Sequence, residues 1–164
     1  MTQSQETAIW MSPAAFDAIK AEMDELAGPQ RTAVVERIAA ARDEGDLKEN
    51  GGYHAAKEEQ GKLEARIKQL DEWLRVADTT LAEDDDIVGP GKLVSLDPEF
   101  TDSQPFLLAV RTVDNAYPDD LEIISPASPL GATLLGASKG SVVEFNAPNG
   151  KVFKLTVIEV APYA

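Results

Sequence analysis

The stretch ARDEGDLKENGGYHAAKEEQG, residues 41–61, decides the fold of the first half of the chain, because it is the bend between two helical patterns. It carries two adjacent glycines, the only histidine in the sequence, and the acids Asp43, Glu44, Asp46 and Glu49. Like charges repel, so their collection at one bend needs an explanation. Helices joined by a short connection lie antiparallel. The sequence therefore predicts a helical hairpin with an acidic tip at residues 43–50.

The first helix of the hairpin has a clear start and one interruption. Ser12-Pro13 is typical of a helix N-terminus, with serine as the N-cap and proline in the first turn. An apolar stripe of Phe16, Ile19, Met23 and Leu26 follows and resumes at Val34, Ile38 and Ala41. Gly28-Pro29 lies between the two parts, so we expect a kink or a short break there.

The second helix carries a regular apolar seam with alternating spacings of three and four residues, which is typical of a coiled coil. Its positions are Tyr53, Ala56, Gln60, Leu63, Ile67, Leu70, Leu74 and Ala77. Charged residues flank the seam, as expected for solvated helix faces. We therefore predict a long antiparallel two-helix coiled coil over residues 1–80.

The second half of the chain has strand patterns instead. Residues 81–91 are acidic and then rich in glycine and proline, so they are predicted to be a linker. The strand candidates are Lys92–Leu96, Phe106–Val113, Leu121–Ile124, Ser141–Asn146 and Lys151–Val160. A short helix is expected from Ser128-Pro129 to Gly136, and a hairpin loop at 147–150. The prediction is an α+β protein whose second domain, residues 92–164, is small and mostly antiparallel.

Composition excludes several classes of protein. The net charge of −14 disfavours binding of nucleic acid through a broad basic surface. Without cysteine there is no disulfide framework and no thiolate zinc site. The longest apolar run is far shorter than the ~20 residues of a membrane-spanning helix, and no secretion signal is visible. We expect a cytoplasmic protein that does not bind membranes.

Helix capping alone explains part of the acidic bend. Gly45 can end the first helix in the left-handed conformation, and Asp46 can cap the second, with Glu49 completing a capping-box pattern. Capping does not explain Asp43 and Glu44, since carboxylates are disfavoured at a helix C-terminus. Clustered carboxylates attract a hard cation such as Mg²⁺, but one loop offers too few oxygens to hold it tightly. The pattern predicts a site completed by another molecule.

Three stretches of this sequence resemble the Gre transcript-cleavage factors of bacterial RNA polymerase. GDLKENGGYHAAKEEQGKLEARIKQL resembles the tip and second helix of that family, and WMSPAAFDAIKAEMDEL resembles its first helix. ISPASPLGATLLGASKGSVVEFNAPNG resembles its Ser-Pro segment and final hairpin. The glycines at 51 and 52 are similar to those of the actinobacterial form, where most other members have Ala-Glu.

The resemblance implies a mechanism and a set of partners. An FKBP-like C-terminal domain would dock at the rim of the polymerase secondary channel, and the coiled coil would enter that channel. In a backtracked complex the tip would meet the 3′ end of the nascent RNA. Asp46 and Glu49 match the two tip acids that help to hold a second Mg²⁺, shared with the polymerase. By this resemblance the protein is a monomer and not itself an enzyme, because it supplies groups to the polymerase, which cuts its own RNA.

The resemblance also assigns supporting residues. Arg42 and Lys57 match a basic patch that holds the extruded RNA by its phosphates, and Lys48 lies beside them. Solvated charge or intrahelical pairing is the alternative for each. Ser128 and Pro129 match the loop that meets the polymerase rim, although a helix cap explains them equally well. His54 and Tyr53 are expected to be structural.

Three other functions remain open at this stage. A Gre-like regulator could enter the same channel and inhibit transcription without cleavage, although the presence of both tip acids favours cleavage. A plain coiled-coil adaptor would neither bind polymerase nor depend on the tip acids. Prolyl isomerase activity would follow only from the similarity of the C-terminal domain to FKBP, and a shared fold is poor evidence for chemistry.

Overall fold

The computed structural model describes residues 7–46, 48–97 and 104–164, and it confirms the predicted α+β class. The described chain divides into two compact units. One contains Asp17–Val76, and the other contains the described residues of Met1–Phe16 together with Ala77–Ala164.

The first unit is a helical hairpin. Its helices are α1 (Pro13–Glu25), whose first turn is assigned to the other unit, α2 (Arg31–Asp43) and α3 (Gly51–Val76). Strand β1 (Ile9–Trp10), also of the other unit, precedes them in the chain. The predicted start of α1 is confirmed, because Ser12 Oγ accepts a hydrogen bond from Ala15 N at 3.0 Å. The 26 residues of α3 give the hairpin a length of roughly 39 Å at 1.5 Å per residue.

The interruption predicted at Gly28-Pro29 is a single π-helical turn, Leu26–Gln30, between α1 and α2. The amide of Arg31 donates to Leu26 O, five residues back, instead of the usual four. Such a turn accommodates one extra residue inside a helix that otherwise continues. This explains why the apolar stripe passes from Leu26 to Val34, eight residues instead of seven.

Apolar side chains from α2 and α3 form the hairpin core. Val34, Ile38, Ala56 and Leu63 are buried together, and Leu26, Tyr53 and Ile67 pack against them. Three ion pairs join residues far apart in sequence on the two sides of the hairpin: Arg31–Glu64, Arg37–Glu59 and Arg66–Glu22. The predicted seam is confirmed as far as Leu70, which is also buried.

The other unit includes a short parallel strand pair that the sequence analysis did not predict. Ile9 pairs with Ala77 and Trp10 pairs with Asp78, which forms β2 (Ala77–Asp78). The indole nitrogen of Trp10 donates to Thr80 O at 2.8 Å. The assignment of Ala77 to the coiled-coil seam was therefore wrong: the helix stops at Val76, and Ala77 is held by backbone pairing to β1.

The second unit contains a five-stranded sheet in the order β5-β4-β3-β7-β6. The strands are β3 (Lys92–Leu96), β4 (Phe106–Leu108), β5 (Glu122–Ile124), β6 (Val142–Asn146) and β7 (Val152–Pro162). Three of the four pairings are antiparallel and β4–β5 is parallel, as a mostly antiparallel domain requires. The predicted strand over Phe106–Val113 is shorter than expected, since regular pairing stops at Leu108.

The core of this unit lies under β3, β4 and β7. The largest side chains that are fully buried there include Phe106, Leu96 and Leu155. Helix α4 (Pro129–Leu134) covers it through Leu134. Val88, which belongs to the predicted linker, is only 2% exposed and is part of the same core. The linker sequence thus joins the sheet domain before β3 begins.

Candidate functional site at the tip of the hairpin

The end of α2 has the geometry predicted for it. The helix ends at Asp43, Glu44 follows as the C-cap, and Gly45 has a φ of +117°. A side chain would be strained at that φ, so glycine is the residue that allows the chain to leave the helix here. Leu47 lies outside the described residues.

The start of α3 differs from the prediction. The N-cap is Asn50, whose Oδ1 accepts a hydrogen bond from Tyr53 N at 3.0 Å. Asp46 was expected to be the cap, and this was wrong: its Oδ1 accepts from Lys48 N at 3.0 Å, which closes a local turn before the helix. The predicted capping box with Glu49 is absent as well, because the Glu49 carboxylate has no hydrogen bond to any described residue.

Asn50 makes a second contact that the sequence analysis missed. Its side-chain nitrogen Nδ2 donates to the carbonyl oxygen of Ala41, in the last turn of α2, at 2.6 Å. One side chain therefore bonds to backbone groups of both helices. The sequence offered one signal, an asparagine directly before two glycines, but the nine-residue contact could not be predicted from spacing.

The four tip acids are all exposed to solvent. Within residues 7–46, 48–97 and 104–164, no group of three or more histidine, aspartate or glutamate side chains converges as a metal site would require. Mg²⁺ prefers six oxygen ligands and is usually bound through one or two carboxylates plus ligands from elsewhere. Asp46 and Glu49 fit that incomplete role, since both present carboxylate oxygens to solvent.

The predicted basic residues surround the tip and are exposed. The Arg42 guanidinium lies over the Tyr53 ring, 5.8 Å from its centroid, in a cation–π contact. Lys57 Nζ donates to Gln60 Oε1 at 3.1 Å, so intrahelical pairing describes its state in the free protein. Lys48 contributes backbone contacts, including its carbonyl oxygen 3.3 Å from His54 Nε2.

The two predicted docking residues lie in the other unit, at the start of α4. Ser128 caps the helix: its Oγ accepts from Gly131 N at 3.1 Å and donates to Ser125 O at 2.6 Å. Pro129 is the first helical residue and is exposed. Capping fully accounts for the Ser128 side chain, and the docking role of both residues remains a prediction.

Comparison with known proteins gives the family of the chain. Residues 9–78 match the family model "Transcription elongation factor, N-terminal", and residues 83–162 match "Transcription elongation factor, GreA/GreB, C-term". The chain is 44% identical to the transcription elongation factor GreA of Streptomyces avermitilis and 43% identical to that of Streptomyces coelicolor, over 99% of each protein.

A solved structure with similar coverage is the GreA factor homolog 1 (Gfh1) of Thermus thermophilus. It is 23% identical, with a TM-score of 0.43 over 94% of this chain and 99% of that one. Among the described residues of the present protein, no helix is both long enough and apolar enough to cross a membrane. With both halves matched by its models, the chain belongs to the GreA/GreB family of transcription elongation factors.

Proposed function

We propose that this protein enters the secondary channel of bacterial RNA polymerase in the cytoplasm and stimulates Mg²⁺-dependent cleavage of the 3′ end of nascent RNA in backtracked complexes. The observation that carries the proposal is the pair Asp46 and Glu49. Both lie in the connection between α2 and α3, both are exposed, and neither carboxylate forms an ion pair with any described residue. Two exposed carboxylates without an ion-pair partner in the described part of the chain are available to a cation held by another molecule.

Asp46 and Glu49 would hold the shared Mg²⁺ together with acids of the polymerase. When bound, a second metal ion stabilises the attacking and departing oxygens of a phosphodiester hydrolysis. Asp46 is held locally by Lys48 N through Oδ1, which leaves Oδ2 without a partner among the described residues. This arrangement supports a role in orienting a ligand, since the carboxylate is already restrained before binding.

Nearby cations would hold the RNA. Arg42 and Lys57 lie within one or two helical turns of the tip, and Lys48 lies in the tip segment 43–50 itself. Arginine and lysine bind phosphate oxygens, and the planar guanidinium of Arg42 can do so with two hydrogen bonds. Ser128 and Pro129, at the exposed start of α4, would contact the polymerase rim.

Cleavage by a stalled polymerase tests the proposal. Backtracked complexes with RNA labelled at the 5′ end are incubated with Mg²⁺, with and without the protein. We expect the rate of RNA shortening to increase in proportion to the fraction of polymerase complexes that have bound the protein. A regulator that only inhibits transcription would bind the polymerase and leave shortening unchanged or slower. An adaptor unrelated to the channel would not bind the core polymerase.

A further inference from the structure

We propose that Asn50 is a positioning residue for the cleavage reaction: it holds the tip segment in the conformation in which Asp46 and Glu49 can reach the shared metal ion. This inference rests on the proposed function of those two acids. It concerns a residue that touches neither metal nor RNA in the proposal and acts through the backbone of the tip.

The geometry of Asn50 is the first argument. Its Nδ2 donates to Ala41 O at 2.6 Å and its Oδ1 accepts from Tyr53 N at 3.0 Å. The first bond spans nine residues and the second spans three. One side chain therefore fastens the end of α2 to the beginning of α3, and both tip acids lie inside the loop that the longer bond closes.

The second argument is that each other contact at the tip either joins residues close in sequence or has a long interatomic distance. The Asp46–Lys48 bond spans two residues, and the distance from His54 Nε2 to Lys48 O is 3.3 Å. The stacking of Arg42 on Tyr53 also joins the two helices, but it has no fixed bond direction and a centroid distance of 5.8 Å. Among the described contacts, the Asn50 amide thus provides the short, directional bond across the loop.

The backbone around the tip makes this bond more important. Gly45 lies at a positive φ, and a Cβ built at Gly45 or Gly51 would contact nothing within 4 Å. Gly52 has one neighbour at that range, which is Asn50 Oδ1 itself. Glycine has more accessible backbone states than other residues, and at Gly45 no described atom beyond its chain neighbours lies within 4 Å of the Cβ position to limit them. Removing the bridge should therefore release the loop.

The predicted consequence is a loss of catalytic geometry without a loss of docking. Misplacement of a reacting group by about 1 Å can lower a rate by about 100-fold. Asn50→Ser and Asn50→Asp separate the two bonds, because serine and aspartate are as good N-caps as asparagine. Serine is too short to reach Ala41 O, and aspartate has no proton to donate to it.

We expect Asn50→Ser, Asn50→Asp and Asn50→Ala each to lower the maximal rate of stimulated RNA cleavage by about 10- to 100-fold. The Mg²⁺ concentration for half-maximal cleavage should rise in all three, while the affinity for core polymerase stays within about twofold. Asn149→Ser is the matched control, since Asn149 makes a similar turn contact, to Lys151 N, in the sheet domain. It should leave every measurement unchanged.

A measurement on the free protein complements the kinetics. Amide hydrogen exchange at Gly45, Asp46 and Lys48 should be at least about tenfold faster in Asn50→Ser, with unchanged exchange in the middle of α3. A merely structural N-cap would give a different pattern. In that case Asn50→Ser and Asn50→Asp would match the wild type in both cleavage rate and exchange, and only Asn50→Ala would be impaired.

Failure of this inference can be distinguished from failure of the proposed function. Wild-type cleavage by Asn50→Ser, together with loss of cleavage in Asp46→Asn and Glu49→Gln, would overturn the positioning role alone. Undiminished cleavage in Asp46→Asn and Glu49→Gln would show that the tip acids have no catalytic role. The proposal that Asn50 positions them would then be overturned as well.

Discussion

The Oδ1 atom of Asn50 accepts a hydrogen bond from the amide nitrogen of Tyr53 at 3.0 Å, so Asn50 is the N-cap of α3. Asp46, which lies four residues earlier, makes only a local contact to Lys48 N. The residue that holds the helix end is thus separate from the acid that is proposed to bind metal. A substitution at Asp46 is therefore expected to change activity with little change in stability, whereas one at Asn50 changes both.

This separation predicts effects of different size for two alanine substitutions on stability. Asn50→Ala removes both the cap and the bond to Ala41 and should lower the free energy of unfolding by about 1–2 kcal/mol. Asp46→Ala should change it by less than about 0.5 kcal/mol, because the residue is exposed and its bond is local. Urea unfolding followed by helix circular dichroism measures both. Equal losses in the two variants would argue against Asn50 as the cap.

The π turn predicts that the hairpin tolerates the loss of a residue at one place. Deletion of Pro29 should convert Leu26–Gln30 into regular α-helix and leave the stripe from Leu26 to Val34 in phase. It also removes a proline from a helix interior. We expect the free energy of unfolding to stay within about 1 kcal/mol of the wild type or to rise.

Deletion of Glu36 is the control for this prediction. Glu36 is exposed and lies in the middle of α2, after the π turn. Its loss rotates Ile38 and Ala41 by about 100° relative to Val34, because each residue turns an α-helix by that angle. Exposure of the isoleucine alone should cost about 2 kcal/mol. Similar losses in both deletion variants would contradict the assignment of the extra residue to the π turn.

The ion pair between Arg66 and Glu22 should be worth more than a highly exposed charge pair of the hairpin. Arg66 donates two hydrogen bonds to Glu22, at 3.0 and 3.2 Å, and also lies 5.5 Å from the centre of the Trp73 ring. A double-mutant cycle to alanine should give a coupling of about 1 kcal/mol.

The Lys62–Glu58 pair provides the comparison, because it is more than 70% exposed and spans one helical turn. Its coupling should be about 0.3–0.5 kcal/mol and should fall further in high salt. A coupling for Arg66–Glu22 no larger than this would show that its geometry adds nothing.

Acid should destabilise the sheet domain through Asp85. The ammonium group of Lys92 and the amide of Ile87 both donate to this carboxylate and hold its pKa below the ordinary value of 3.8. A depressed folded-state pKa stabilises the fold above the unfolded-state pKa, and the contribution disappears as pH falls from 3.8 through the lower folded value. The free energy of unfolding is measured between pH 7 and pH 2. Below pH 4 it should fall less steeply with decreasing pH in Asp85→Asn than in the wild type.

The same variant has a second signature at neutral pH. Lys92 is 5% exposed, so Asp85→Asn leaves a buried ammonium without its carboxylate and should lower the melting temperature. Adding Lys92→Met should restore it, because a buried ion pair can be replaced by an apolar side chain of similar size. If the double variant were less stable than Asp85→Asn, the ion pair would not be the cause.

The sequence predicted the elements that have a long periodic pattern. Ser12 and Pro13 begin α1 as expected, and the seam of α3 holds from Tyr53 to Leu70, since seven-residue periodicity over many turns has few alternatives. The π turn had a visible signal as well. The interval of eight residues between Leu26 and Val34 indicates one inserted residue, although it does not say how the backbone accommodates it.

Features fixed by a single long-range contact could not be predicted. Two-residue strands such as β1 and β2 show no alternation, and the paired residues Trp10 and Asp78 are 68 positions apart in sequence. At the tip, Asp46 and Asn50 are equally acceptable N-caps by residue type. The structure has Asn50 as the cap, and the same side chain also bonds to Ala41 O, a contact that local spacing does not reveal.

The most direct test of the central claim is RNA cleavage in backtracked complexes with wild-type protein, Asp46→Asn, Glu49→Gln and the control Glu44→Gln. All three variants lose one carboxylate charge at the tip, and each should bind core polymerase as the wild type does. The account predicts that Asp46→Asn and Glu49→Gln lose at least about 100-fold in stimulated cleavage, while Glu44→Gln stays within about twofold. Wild-type cleavage by Asp46→Asn and Glu49→Gln, or an equal loss in all three, would contradict it.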